Sequence, residues 1–364
     1  MACPDRPPTN VEWTSHPPRW WPGDETDMPI FASGRWLRSI GALQAGGQHG
    51  WVRAVGRTGV GVMRTTWTTS ESVPHSLDPF HWTYEQTAYR DGLAAAGPPA
   101  LPRTSWFPSL VSVLPGLDTY LVGTDREDVD CAVALLSKVI VEGERLGAAS
   151  VALGFVQPGE TALAVGAARV GMHPVPMATL ASLPLPGRGL ADVWASYGAK
   201  HRANVRRDRR RLAQAGLHAA LVDAPLDRLD DLVALRCSHL RTHGKLPNHA
   251  VEREHLRMLL EDFGDLTTVV AGFAGDELVA FSAFLRDRDV VHSYMTGRRD
   301  ARRDRDIYFE TTYYLPTELF ADRGLSALSY GYGTEEAKRL RGCVLEPVMG
   351  YVKHLEGHRG GGTA

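Results

Sequence analysis

The sequence predicts an α/β (α+β) protein with two tandem domains, each a mixed, mostly antiparallel sheet flanked by helices. The length of 364 residues suits two domains of ~100–200 residues each. Strand and helix patterns alternate through both halves of the chain. Residues 183–190, LPLPGRGL, are rich in proline and glycine and are typical of a domain junction.

Composition excludes several classes of protein. Hydrophobic residues make up 43% and charged residues 23% of the chain, which excludes a largely disordered protein. No apolar run approaches the ~18–20 residues that span a bilayer. The formal net charge of −2 argues against a surface devoted to nucleic acid.

The cysteines and the amino terminus indicate a cytoplasmic protein. Cys3, Cys131, Cys237 and Cys343 form no C-x-x-C pair and no zinc-type cluster, as expected in a reducing compartment without a metal site. The first residues lack the basic and apolar regions of a signal peptide. We expect residues 1–40 to form an extended arm.

The first domain is expected over residues 41–188. Arg57-Thr58-Gly59 joins two strand patterns as a hairpin turn. Residues 127–147 have helical periodicity, an acidic start and a glycine at the end. The remaining predicted elements are strands at 119–123, 149–156 and 176–184 and a short helix at 162–171.

The second domain is expected over residues 189–355, followed by a disordered tail at 356–364. Three strands at 267–273, 277–286 and 290–297 are joined by very short turns, which force an antiparallel meander. The remaining predicted elements are helices at 190–215, 226–242, 251–263, 307–323 and 334–341 and strands at 325–333 and 344–353.

Four segments resemble one family. Residues 194–217, WASYGAKHRANVRRDRRRLAQAGL, are similar to its basic helix, and 334–347, TEEAKRLRGCVLEP, to its closing motif. Residues 308–333 and 107–116 are similar to its helix–strand unit and its Y-x-S-x-x-x-x-x-P-G segment. The chain thus resembles the Fem-like, tandem GNAT acyltransferases, described as peptidoglycan-biosynthesis-like or BioF2-like. The order of elements in the second half is also that of a GNAT core.

The resemblance implies an N-acyltransferase that forms an amide. In such enzymes an amine attacks a thioester directly, so no metal and no permanently bound cofactor is expected. The co-substrate would be an acyl-phosphopantetheine, whose arm lies between the splayed fourth and fifth strands of the GNAT core. The acceptor would be a small-molecule amine, in specialised metabolism.

Five residues are candidates for catalysis. Strand alternation puts His292 and Tyr294 on one face of the fourth strand, where they could handle protons or form a satisfied core pair. Tyr330 and Tyr332 are predicted to end the fifth strand, where the resemblance implies a tyrosine acid for the thiolate. Glu310 could orient or deprotonate the amine, or be a solvated residue at a helix start.

Charged segments are candidates for binding. Lys338 and Arg341 could form a salt-bridged helix face, whereas the resemblance implies a binding role. The loop after the fourth strand lacks the glycines that wrap a pyrophosphate, but its arginines could hold one phosphate or an acidic partner, unless it is a solvated turn. These arginines are Arg298, Arg299, Arg302, Arg303 and Arg305.

Residues 200–211 carry seven Lys/Arg and one Asp. A helix this basic favours an anionic partner, although charge runs are usually solvated faces. The predicted partner-binding residues are Lys200, Arg202, Arg206, Arg207 and Arg210.

Three donors remain open: an acyl- or peptidyl-carrier protein, free acyl-coenzyme A and aminoacyl-tRNA. The glycine-free loop slightly favours the carrier protein over coenzyme A. The absence of a sustained heptad pattern and the balanced charge make tRNA less favoured. A further alternative is a non-catalytic module that binds an anionic partner.

Overall fold

The computed structural model of the chain describes residues 11–21, 28–43, 49–55, 60–69, 73–85, 101–116, 118–123, 127–185, 189–223, 225–299 and 305–355. The chain divides into unit 1, residues 1–178 with 347–364, and unit 2, residues 179–346. The sequence predicted domains at 41–188 and 189–355, but residues 347–355 group with unit 1. The predicted tail at 356–364 lies outside the described residues.

The described elements alternate as a mixed α/β fold. The strands are β1 (Val11–Thr14), β2 (His49–Val55), β3 (Val60–Thr68), β4 (Ser109–Ser112), β5 (Val122–Gly123), β6 (Ser150–Val156), β7 (His173–Pro184), β8 (Leu217–Val222), β9 (Thr267–Ala274), β10 (Glu277–Asp287), β11 (Val290–Arg298), β12 (Ala327–Ser329) and β13 (Val344–His354). The helices are α1 (Gly34–Leu43), α2 (Val129–Leu146), α3 (Thr161–Arg169), α4 (Leu190–Ser196), α5 (Ala199–Gln214), α6 (Leu229–Thr242), α7 (His249–Glu261), α8 (Arg305–Phe309), α9 (Leu315–Asp322) and α10 (Glu335–Arg339). The predicted mixed α/β class, with mostly antiparallel pairing, is therefore confirmed.

Unit 1 contains a sheet in the order β1-β2-β3-β4-β6-β13, with β5 beside β3. Helix α2 begins after Asp128, whose side chain accepts a hydrogen bond from the Cys131 N–H, and ends at Gly147 with a φ of 76°. Its apolar face packs on the sheet through residues such as Leu135 and Leu136, which are fully buried. The expected arm over residues 1–40 contains β1 and the start of α1, so it contributes secondary structure to unit 1.

Unit 2 contains a sheet in the order β7-β12-β11-β10-β9-β8. The predicted meander is confirmed, since β9, β10 and β11 pair in antiparallel succession. Strand β12 pairs in parallel with β11, and residues 182–184 of β7 pair antiparallel with β12. Aromatic and aliphatic side chains such as Phe284, Phe320 and Leu328 form the core of this unit.

Two predicted helices of unit 2 are interrupted. The expected helix at 190–215 is divided at Tyr197-Gly198 into α4 and α5. The expected helix at 307–323 contains a π-helical turn, Glu310–Tyr314, between α8 and α9. Pro316 lacks the N–H that would complete the α-helical bond to the residue four positions earlier, which favours a wider turn there.

Within the described residues, no helix is both long and apolar enough to span a membrane.

Candidate active site

One edge of β11 loses its partner strand part-way along the strand. Residues Val290–His292 pair with Ala327–Ser329, whereas β11 continues to Arg298. Beyond Ser329 the chain bonds to β7 instead, because the Tyr330 N–H donates to the Ala181 carbonyl and the Ala181 N–H donates to the Gly331 carbonyl. The two central strands therefore diverge, and among the described strands none pairs with residues 293–298 on that side.

Lys338 fixes the segment that follows β12. Its Nζ donates to the carbonyls of Tyr330, Gly331 and Tyr332 at 2.7, 3.0 and 2.9 Å. Burial lowers the pKa of Lys338 to about 8. All three N–H groups of the ammonium thus donate to backbone carbonyls of the protein. Lys338, which was predicted to bind the acyl donor, instead fixes the backbone where β12 diverges from β11.

An aromatic cluster lies between this segment and the π-helical turn. The rings of Tyr313 and Tyr330 are 4.6 Å apart, and Tyr313 is 6.4 Å from both Tyr308 and Phe309. The Arg341 guanidinium lies 3.6 Å from the centre of the Phe309 ring and 5.0 Å from that of Tyr313. Such cation–π contacts hold a cation against an apolar wall without a carboxylate.

The two tyrosines predicted to end the fifth strand follow it instead, because pairing stops at Ser329. Tyr330 is buried, and burial raises the pKa of its phenol. Its hydroxyl has no hydrogen-bond partner among the described residues. Tyr332 contributes its carbonyl to Lys338.

His292 and Tyr294 each contact a residue of another part of unit 2. His292 lies in the paired part of β11, with Nε2 3.7 Å from Asp287 Oδ2. The Tyr294 hydroxyl is 3.1 Å from Nε2 of His255 on α7. Burial raises the pKa of Tyr294. The catalytic role of both residues, and the alternative of a core pair, stay predictions.

Glu310 is buried in the π-helical turn rather than solvated at a helix start. Both of its carboxylate oxygens accept hydrogen bonds from Arg209 of α5, at 2.8 to 3.2 Å. Arg209 Nη1 also binds Glu318 at 2.7 Å. A carboxylate held in this way is an anchor between helices, and an incoming ammonium would have to compete with the guanidinium.

The arginine loop is only partly described. The Arg298 guanidinium lies 5.6 Å from the centre of the Tyr308 ring, and Arg299 pairs with Glu277 at 2.6 Å. Arg302 and Arg303 lie outside the described residues, as does the side chain of Arg305. Their predicted role in binding phosphate therefore stays a prediction.

The basic helix α5 has two functions in the fold. Arg202 turns inward and donates to the carbonyls of Trp194 and Tyr197, where α4 ends. Lys200, Arg206 and Arg210 are exposed. The residues predicted to bind a partner thus include both inward-facing and outward-facing side chains. The prediction did not include Arg209, which binds Glu310 and Glu318.

A cavity of about 280 Å³ lies between α5, α8, the π-helical turn and the residues after α10. Arg207, Arg341 and Asp306 line it, together with Asp208 and Tyr314. The Tyr314 hydroxyl donates to buried Asp208 Oδ2 at 2.8 Å. The carboxylate and burial together raise the pKa of Tyr314, with burial the larger cause.

A histidine that the sequence analysis did not select lies at the open edge. His239, on α6, is buried, and its Nε2 is 3.4 Å from Thr296 Oγ1 on β11. Its ring stacks on Tyr308 at 5.9 Å. Arg236 on the same helix donates to the Thr296 carbonyl at 3.1 Å. His239 contacts Thr296, which is 57 positions away in the sequence, so the local periodicity of α6 could not indicate that His239 lies at this strand.

The sequence of unit 2 matches a known family. Residues 199–339 match the sequence profile of the acetyltransferase (GNAT) domain. No curated protein matches the chain in sequence. Residues 199–339 therefore match an acetyltransferase (GNAT) domain in sequence, and the diverging strands of unit 2 agree with that match.

Solved structures share the fold over most of the chain. The carboxy-terminal domain of a protein assigned as a lysylphosphatidylglycerol synthetase from Agrobacterium fabrum has a TM-score of 0.54 at 13% identity, over 91% of this chain and 89% of that one. FemX has a TM-score of 0.55 at 11% identity, over 84% and 88%. L-PGS from Bacillus licheniformis has a TM-score of 0.50 at 12% identity, over 86% and 85%. The GNAT and Fem-like likeness is thereby shown, whereas a BioF2-like assignment stays a prediction.

Proposed function

We propose that the protein transfers an acyl group from a phosphopantetheine thioester to a small-molecule amine and so forms an amide. The open edge of β11 at residues 293–298 carries this proposal. An unpaired strand edge offers backbone donors and acceptors to an extended ligand, and a pantetheine arm with its amide groups is such a ligand. The aromatic cluster beside the edge supplies apolar surface for the acyl end.

An acyl-carrier protein is the favoured donor. Lys200, Arg206 and Arg210 are exposed on α5, and none of them pairs with an acidic residue among the described residues. Unpaired surface cations attract an acidic protein and accelerate its encounter. Free coenzyme A remains the second thioester donor, weakened by the glycine-free loop after β11.

A panel of donors tests the proposal. Carrier-bound acyl groups, acyl-coenzyme A and aminoacyl-tRNA are each incubated with the protein and a set of amines. We expect thiol release and loss of the acyl mass from the carrier, read by intact-protein mass spectrometry. Failure of every thioester donor across the amine set would contradict the proposal.

Charge reversal tests the carrier protein separately. The double substitution Arg206→Glu and Arg210→Glu is expected to raise KM for the carrier at least about 10-fold and to leave KM for acyl-coenzyme A unchanged. Arg253→Glu with Arg257→Glu on α7 is a control with the same spacing and charge change; because these two arginines are ion-paired, the folding of both double variants is compared by circular dichroism. An equal effect of the two pairs would remove α5 as the docking face.

Transfer of an aminoacyl group is the second candidate. The favouring observation is that a protein assigned as a lysylphosphatidylglycerol synthetase has the same fold over most of its length. Ribonuclease would abolish a reaction that uses aminoacyl-tRNA and would leave a pantetheine-dependent reaction intact. The non-catalytic alternative, a module that binds an anionic partner, predicts no transfer with any donor in this panel.

A further inference from the structure

His239 is a buried imidazole with one unused nitrogen. The side chain is 92% removed from solvent, since its relative exposure is 8%. Nε2 lies 3.4 Å from Thr296 Oγ1, while Nδ1 has no hydrogen-bond partner among the described residues. A buried polar atom without a partner is uncommon and requires an explanation.

The position of this imidazole is set by three elements. Helix α6 carries it, Thr296 of β11 lies against Nε2, and Tyr308 of α8 stacks on its ring. Thr296 belongs to the part of β11 that has lost β12 as a neighbour. The imidazole therefore lies against the part of β11 at which the thioester is proposed to bind.

The groups around His239 are mostly cationic. Arg236 lies on its own helix, His243 and Lys245 follow that helix, and Arg298 extends from β11. Tyr308 from α8 is the uncharged titratable neighbour. Burial first, and then these cations, lower the pKa of His239 to about 4. The imidazole is consequently neutral at physiological pH, so one of its nitrogens carries a proton and the other a lone pair.

The contact with Thr296 is compatible with the tautomer that leaves the lone pair on Nδ1. When Nε2–H donates to the Thr296 hydroxyl oxygen, the lone pair lies on Nδ1. A hydrogen bond of 3.4 Å is long, as catalytic contacts often are before substrate binds. Thr296 is therefore a positioning residue for the imidazole.

We propose that His239 is the general base that deprotonates the acceptor amine at the open edge of β11, an inference that rests on the proposed acyl transfer. Nδ1 takes one proton from the substrate ammonium. The free amine attacks the thioester carbonyl, the C–N bond forms and the C–S bond breaks. The second proton of the nitrogen goes to the departing thiolate, and the imidazolium returns its proton to solvent.

The other candidates are less available for this step. Glu310 is committed to Arg209 through both oxygens. The Tyr294 hydroxyl is directed at His255, and His292 lies where β11 and β12 still pair. Among these four groups, His239 is the imidazole that contacts the unpaired part of β11 and has a nitrogen without a hydrogen-bond partner among the described residues.

Substitution with a matched control tests the role. His239→Gln is expected to lower kcat for amide formation at least about 100-fold with little change in the KM of the donor. His218→Gln, at an exposed histidine of β8, is expected to stay within about threefold of the unsubstituted protein. Added imidazole is expected to restore activity to His239→Gly, and the restored rate should rise with pH as the added imidazole becomes neutral.

The outcomes distinguish this inference from the proposed function. Transfer by His239→Gln within threefold of the unsubstituted rate overturns the inference and leaves the proposed function standing. Absence of transfer by the unsubstituted protein with every donor overturns both. Nitrogen-15 spectra of the unsubstituted protein give a test that no folding defect affects: an Nε2–H tautomer of His239 supports the inference, and an Nδ1–H tautomer overturns it.

Discussion

Arg209→Met is expected to destabilise unit 2 by about 2–3 kcal/mol. Breaking a buried ion pair typically costs 3–5 kcal/mol because the remaining charge stays buried without a partner. The Glu310 side chain is only 10% exposed, so it meets that condition. The Arg209 side chain is 34% exposed, and solvent screening reduces the expected loss accordingly.

Urea unfolding measures this loss against a surface pair. Arg257 on α7 binds Glu254 and Glu261, but this is a surface cluster. The Arg257 side chain is 43% exposed, and those of Glu254 and Glu261 are 45% and 41% exposed. Arg257→Met should therefore cost only about 0.2–1 kcal/mol. The reasoning is refuted if Arg209→Met destabilises the protein no more than Arg257→Met.

A double-mutant cycle extends the same test to the role of Glu310. Arg209→Met combined with Glu310→Gln should cost less than the sum of the single losses, by about 1–2 kcal/mol, because the neutral amide needs no cation. Glu310→Gln alone also distinguishes a structural role of Glu310 from a role as the catalytic base. A 100-fold loss of kcat by Glu310→Gln without loss of stability would return Glu310 to the catalytic role expected from the sequence.

Three further predictions concern burial. Burial lowers the pKa of His49 and of His239 to about 4 from 6.5, so between these pH values the unfolded chain binds more protons than the folded protein. The free energy of unfolding should therefore rise with pH in this range, by up to about 3 kcal/mol for each residue. Unfolding measured at pH 4.5 and pH 7 checks this, and His239→Gln should reduce the pH dependence. Gly297→Ala should destabilise by about 1–3 kcal/mol, because a Cβ there would lie 2.8 Å from a backbone nitrogen of α6, whereas Gly41→Ala, with no contact under 3.7 Å, should not. Lys338→Met should destabilise by about 2 kcal/mol and accelerate amide hydrogen exchange after β12, because three carbonyls lose their charged donor.

The sequence predicted those features that depend on neighbours along the chain. Short turns force strands to reverse, so the meander of β9, β10 and β11 followed from the spacing alone. An acidic start and a terminal glycine bounded α2 correctly. The fold class came from this same order of elements, and the resemblance to acyltransferases came from that order together with four sequence segments.

Interruptions within elements were harder to predict. Periodicity continues through the π-helical turn, so the predicted helix at 307–323 concealed it, although Pro316 was a signal that could have located it. The fifth strand was predicted too long, because its last residues retain an alternating pattern while bonding to β7. Hydrogen bonding, not alternation, decides where a strand stops pairing.

The sequence by itself determined the fold class, the antiparallel core and the presence of a strongly basic helix. Only the tertiary structure decided which charges and imidazoles act together. Arg209 and Glu310 are 101 positions apart, and His239 and Thr296 are 57 apart. Backbone hydrogen bonding and side-chain periodicity are local and repeat regularly, so they can be read from spacing. A contact between distant side chains depends on how helices pack on the sheet, and a single sequence does not encode that packing in any local pattern.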